Sequence, residues 1–125
     1  MANLDNLRVR QDAMTLAKNA YLFVKNTKDF ALKDQIQRSA ISIPSNIAEG
    51  YERNTDKDLV RFLYIAKGSC AELKTQLLLW KEIYGAENNI DKILEDIEKI
   101  HKMLHRFIAS IYDNKDSQQP EASSQ

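Results

Sequence analysis

The sequence predicts an all-helical fold, an up-and-down antiparallel four-helix bundle, and three observations carry that reading. Apolar residues recur with helical period over long stretches and almost nowhere alternate with period two. Only three glycines and two prolines interrupt 125 residues. The connections between the periodic stretches are short, which makes consecutive helices antiparallel neighbours. The length suits one domain with a core large enough to dispense with disulfides or a structural metal. That domain is expected over residues 1–113. The remainder, 114–125, is Ser, Gln, Asp and Pro and is expected to be a disordered polar tail.

The first helix is expected from Val9 to Asn26, with Ala13, Leu16, Ala17, Ala20, Phe23 and Val24 on one face. Leu7–Val9 would lie extended against the bundle. The second runs from Ala31 to Arg53 around Ile36, Ala40, Ile43, Ile47 and Tyr51. It contains Pro44, which cannot donate to the Ala40 carbonyl and crowds it, so the helix is expected to kink or break there. A restart would use Ser42 as N-cap with Pro44 in the new first turn.

The third helix follows Thr55, which with Asp58 resembles a capping box, and ends at Tyr84 before Gly85, a natural residue to follow a helix. It spans roughly 45 Å at 1.5 Å per residue. The fourth runs from Asn88–Asn89 to Asp113, with a clean stripe of Ile90, Ile93, Leu94, Ile97, Ile100, Leu104, Phe107, Ile108 and Ile111. Glu95–Lys99 and Glu98–Lys102 stand in the favourable i,i+4 order on its outer side.

The third helix is apolar on two faces. Leu59, Phe62, Leu63, Ala66, Cys70, Leu73, Leu77 and Trp80 form the expected core stripe. Tyr64, Ile65, Ala71, Leu78 and Leu79 lie away from it, with the small Gly68 and Thr75 between them. A surface helix of a monomer carries charges there. Either another part of the same chain covers this side or it is a subunit interface, which is what large apolar patches usually mark. The candidate interface is therefore Tyr64, Ile65, Gly68, Ala71, Thr75, Leu78 and Leu79, and the expected partner is a second copy of the chain.

Charge is balanced, with 18 Lys/Arg and 18 Asp/Glu, which weighs against a dedicated nucleic-acid binder. The balance is uneven along the chain: 13 basic against 10 acidic residues over 1–85, then 5 against 8. Lys67, Lys74 and Lys81 recur every seven residues on one flank of the third helix. They read either as solubilising side chains that snorkel beside apolar neighbours or as a stripe that contacts phosphates. Lys57 and Arg61 lie nearer the helix start.

Other chemistry finds little support. There is no Gly-rich phosphate loop, no GxSxG and no cysteine pair. His101 and His105 are four apart, but no third ligand is evident, so no metal is expected. Glu49 beside Tyr51 and Arg53 reads as an ion pair or cap rather than an acid–base site. No catalytic residue and no cofactor are expected. The single Cys70, in a periodic apolar segment, reads as a buried core residue and points to the reducing cytoplasm. No apolar h-region occurs in Met1–Arg10, and unbroken apolar runs such as Leu77–Trp80 are far short of the ~20 residues of a membrane span.

The run Gln35–Arg53, QIQRSAISIPSNIAEGYER, is distinctive. Together with Asp58–Ala66 (DLVRFLYIA), Lys67–Leu77 (KGSCAELKTQL) and Leu7–Ala13 (LRVRQDA), it resembles the bacterial four-helix-bundle family of 23S ribosomal RNA intervening-sequence proteins. The resemblance covers roughly residues 4–112. The sequence departs from the family at Arg10, where an aromatic is frequent, and in the Thr27–Lys33 connection, which is shorter than usual and lacks the familiar Pro and Glu-x-Tyr segment. Gln37-Arg38 also stands where a basic pair is frequent. A distantly similar protein, the accessory variability determinant of diversity-generating retroelements, is a pentameric barrel that binds a reverse transcriptase and nucleic acid. The resemblance thus implies a ring-like homo-oligomer, a pentamer. It also implies RNA or DNA backbone binding through Arg38, Arg53, Lys57, Arg61, Lys67, Lys74 and Lys81. The alternative is an interaction scaffold that docks a partner protein on its ring without nucleic acid.

Overall fold

Four helices account for the described residues: α1 Leu4–Phe23, α2 Phe30–Tyr51, α3 Asp56–Tyr84 and α4 Ile90–Ser117. The computed structural model describes residues 4–87 and 89–117, and among these there is no strand. Consecutive helices pack on one another and α1 also packs against α4, so α1 and α3 occupy diagonal corners of a four-helix bundle. Contacts between helix ends set the directions. Tyr51, at the end of α2, donates its hydroxyl to the Asn6 carbonyl near the start of α1. Tyr84, at the end of α3, donates to Asp29 just before α2 at 2.7 Å.

The core is formed by the stripes read from the periodicity. Ala13, Leu16, Ile36, Ile43, Leu63, Leu73, Leu77, Ile97 and Leu104 are all essentially inaccessible. Val60 and Met103 are also buried, beyond those stripes, whereas Leu59 and Leu94 are only partly so. Phe23, Trp80 and Tyr84 stack at one end, with centroids 5.4 and 4.6 Å apart, and the Trp80 indole donates to Glu87 at 2.8 Å. Tyr51 and Phe107 meet at the other end at 5.9 Å. No helix of the described residues is long and apolar enough to cross a membrane.

The boundaries of α3 follow their chemistry. The Thr55 hydroxyl accepts from the Asp58 backbone N–H at 3.1 Å, and Gly85 takes φ +88° and ψ 177°, a conformation essentially reserved for glycine. Elsewhere the structure corrects the sequence. Leu7–Val9 is not extended: α1 begins at Leu4 and buries Val9 as part of its core face. Its end comes early, at Phe23, where Lys25 and Thr27 close turns onto the Leu22 and Val24 carbonyls.

The second helix does not break at Pro44 but continues from Phe30 to Tyr51. Ser42 caps nothing. Its hydroxyl instead bonds Ser69 of α3 at 2.8 Å and accepts from the Asn46 amide at 2.9 Å. The cap lies at Asp29, whose carboxylate accepts from the Leu32 N–H. Helix α4 runs four residues beyond Asp113 to Ser117, so the first part of the expected tail is helical; 118–125 lie outside the described residues.

Candidate assembly and binding surfaces

The heptad lysines of α3 face the acidic flank of α4. Lys81 meets Asp91 at 2.8 Å, Lys74 meets Glu98 at 2.9 Å, and the Lys67 ammonium lies 3.1 Å from Nδ1 of His105. Antiparallel packing explains the regularity, because each seven-residue step back along α3 is matched by seven forward on α4. The lysines expected to contact phosphate are thereby engaged by partners on the same chain. Glu98 pairs with Lys74, not with Lys102 one turn away, and that hydrogen bond and charge hold its carboxyl below the usual range. Burial, reinforced by the Lys67 charge, pushes His101 below the ordinary imidazole value.

The other basic positions divide. Arg38 pairs with Asp34 at 2.8 Å on an exposed part of α2. Arg53, just beyond α2, pairs with Glu49 at 3.0 Å, and its guanidinium also sits 4.8 Å from the centre of the Phe62 ring. Arg61 covers the same ring at 4.6 Å. Phe62, read from the sequence as core, is half-buried and brings two guanidinium groups together. Lys57 lies one turn before Arg61. A third guanidinium, Arg10, lies 4.9 Å from the Tyr51 ring at the same end of the bundle. Arg10 and Tyr51 were not recognised as part of this group. The signal was present as arginine and aromatic in alternation, Tyr51-Glu-Arg53 and Arg61-Phe62. Such stacking lets arginine present its N–H edge to an anion. At Arg53 that edge already meets Glu49, whereas Arg61 and Arg10 make no ion pair among the described residues.

The outer face of α3 is uncovered. Tyr64 is 50% exposed, Ile65 41%, Leu78 42% and Leu79 49%, so about half of each side chain faces solvent. The Lys67 ammonium lies 5.7 Å from the centre of the Tyr64 ring. Gly68, Ala71 and Thr75 are exposed between them. A side chain added at Gly68 would meet nothing within 4 Å, and Thr75 turns its hydroxyl back to the Ala71 carbonyl. The strip is therefore smooth at its middle and bulky at its ends.

A second apolar surface was not anticipated. It is a groove of about 460 Å³ between α1 and α2, lined by Met14, Ala17, Tyr21, Ile41, Pro44 and Ala48, with Lys18 and Ser45. Met14, Tyr21 and Ile41 are all exposed. The small side chains at Ala17 and Ala48 leave the hollow, and Pro44 supplies part of its wall. Among the described residues no three His, Cys, Asp or Glu side chains group as metal ligands. Cys70 is fully buried, and burial pushes its thiol up to about 12.

Comparison with known proteins agrees with this architecture. The family described as 23S rRNA-intervening sequence protein matches residues 5–106. A solved structure is similar, that of a protein of unknown function from the S23 ribosomal protein family of Bacteroides thetaiotaomicron VPI-5482. It is 28% identical and superposes with a TM-score of 0.73 over 80% of this chain and 97% of its own. No curated protein matches.

Proposed function

Since the chain belongs to the 23S rRNA-intervening sequence protein family, we propose that it is a non-catalytic, self-assembling bundle subunit that works in the cytoplasm as an interaction scaffold. The single observation behind this reading is the uncovered apolar face of α3. Each aliphatic side chain there is already about half buried, so covering it completely gains roughly half of the ~1.5–3 kcal/mol that full burial is worth. A closed ring removes the exposure without unlimited growth. The pentameric count rests on the resemblance to the retroelement accessory protein, because the apolar face argues only for more than one copy. The engagement of Lys67, Lys74 and Lys81 by α4 favours a protein partner on that ring over a nucleic acid.

Light scattering at micromolar concentration is the test. The expected mass is a multiple of 14.4 kDa. Leu78→Glu lowers the assembly state and keeps helicity, whereas Leu73→Glu, in the core, unfolds the subunit. A wild-type monomer would overturn the reading.

The Arg53–Phe62–Arg61 cluster supports a second reading, contact with an RNA or DNA backbone. Binding would then weaken linearly in log salt, with a slope of about −0.7 to −0.9 per phosphate contacted. Reversing Arg53 and Arg61 would reduce it more than reversing the paired lysines. Absence of binding at low salt removes this reading and leaves the scaffold.

A further inference from the structure

Resting on the assembly reading, we propose that the outer face of α3 on one copy seats in the α1/α2 groove of the next, head to tail, with Glu72 against Lys18. The two surfaces are both apolar and lie on helices of diagonal corners or their flanks, so one subunit cannot use them on each other. Each carries one charge at its centre. Glu72 is exposed midway along the strip from Tyr64 to Leu79, and Lys18 lines the groove between Met14 and Tyr21. Neither makes an ion pair among the described residues.

The position of Glu72 decides between arrangements. A symmetric, antiparallel pairing of two α3 faces would bring the midpoint of each strip together, and Glu72 would meet its own copy. Like charges brought together in an apolar interface are strongly unfavourable. Seated in the groove, the same carboxylate meets an ammonium instead, and the pair fixes the register of an otherwise slippery apolar contact. The open space at Gly68 allows the close approach that a shallow groove requires. Because the contact joins unlike surfaces, it propagates from copy to copy and closes only as a ring.

The test is a charge swap with a cross-link. Lys18→Glu alone and Glu72→Lys alone should each raise the concentration at which the assembly falls apart by about tenfold or more, and the two together should restore it. Circular dichroism checks that both exposed substitutions keep the helices. In parallel, copies bearing Lys18→Cys are mixed with copies bearing Glu72→Cys and oxidised. The expected product is the mixed disulfide. Cys70, fully buried, does not take part. Disulfides between two Glu72→Cys copies, or single reversals that leave assembly unchanged, would overturn this pairing while the wild type still assembles. A monomeric wild type would instead sink the assembly reading beneath it.

Discussion

Gly50 lies directly against Leu59: a side-chain carbon on Gly50 would stand 3.0 Å from Cδ1 of Leu59 and 3.2 Å from Cβ of Phe62. The backbone of α2 near its end approaches the first turns of α3 closely here, five residues before the Thr55 cap. Gly50→Ala is therefore expected to destabilise the fold by ~1–3 kcal/mol, the usual cost of overpacking. That outcome is opposite in sign to the ~1 kcal/mol that alanine gains in an unobstructed helix interior. Chemical denaturation of the two proteins measures the difference.

Pro44 leaves the Ala40 carbonyl without its helical donor although α2 runs through it. Pro44→Ala supplies that donor. It is expected to keep the helical content and raise stability by up to ~3 kcal/mol, the cost of an interior proline. Thermal melts at a fixed subunit concentration read this directly. The same substitution alters one wall of the α1/α2 groove, so the assembly state should be followed alongside.

The Lys74–Glu98 pair is about half exposed on both sides, and a double-mutant cycle with Lys74→Met and Glu98→Gln should give a coupling of no more than ~1 kcal/mol. Glu98 titrates below its ordinary 4.5 because of Lys74. Its contribution is therefore present above that value and lost as pH falls through the lower, folded one. Repeating the cycle in strong acid should abolish the coupling.

His101 has the opposite chemistry and the same direction. Burial and Lys67 lower its value from 6.5, with Lys74 and His105 adding to the effect and Glu98 opposing it. The unfolded chain thus takes up the proton first as pH falls, so stability is full above 6.5 and declines below it. Denaturation midpoints between pH 7 and 5 should fall for the wild type and stay flatter for His101→Gln.

The bounds of α3 were legible because a capping threonine and a positive-φ glycine mark them by local chemistry alone. The stripes of α2 and α4 were legible because burial follows period. What failed depends on a neighbour. Leu7–Val9 looked like a lead-in until the Val9 contact made it part of α1, and Ser42 looked like a cap until Ser69 claimed its hydroxyl. Asp91, Glu98 and His105 form a heptad of their own, but its match to Lys67, Lys74 and Lys81 becomes visible only once α3 and α4 are set antiparallel in register. The α1/α2 groove joins side chains from two different helices, and nothing on either helix alone announces a hollow.

Cys70 has one more consequence. Its thiol is sealed in the core and deprotonates only near pH 12, so a water-soluble thiol reagent reacts with it only when the bundle opens. When closing outpaces the reagent, the modification rate is the rate of a free thiol scaled by the fraction of molecules open at any instant. The chain thus carries an internal gauge of its breathing, with no dye or isotope added. Followed across subunit concentration, that gauge separates what the core of a single bundle contributes to its persistence from any contribution of the assembly proposed above.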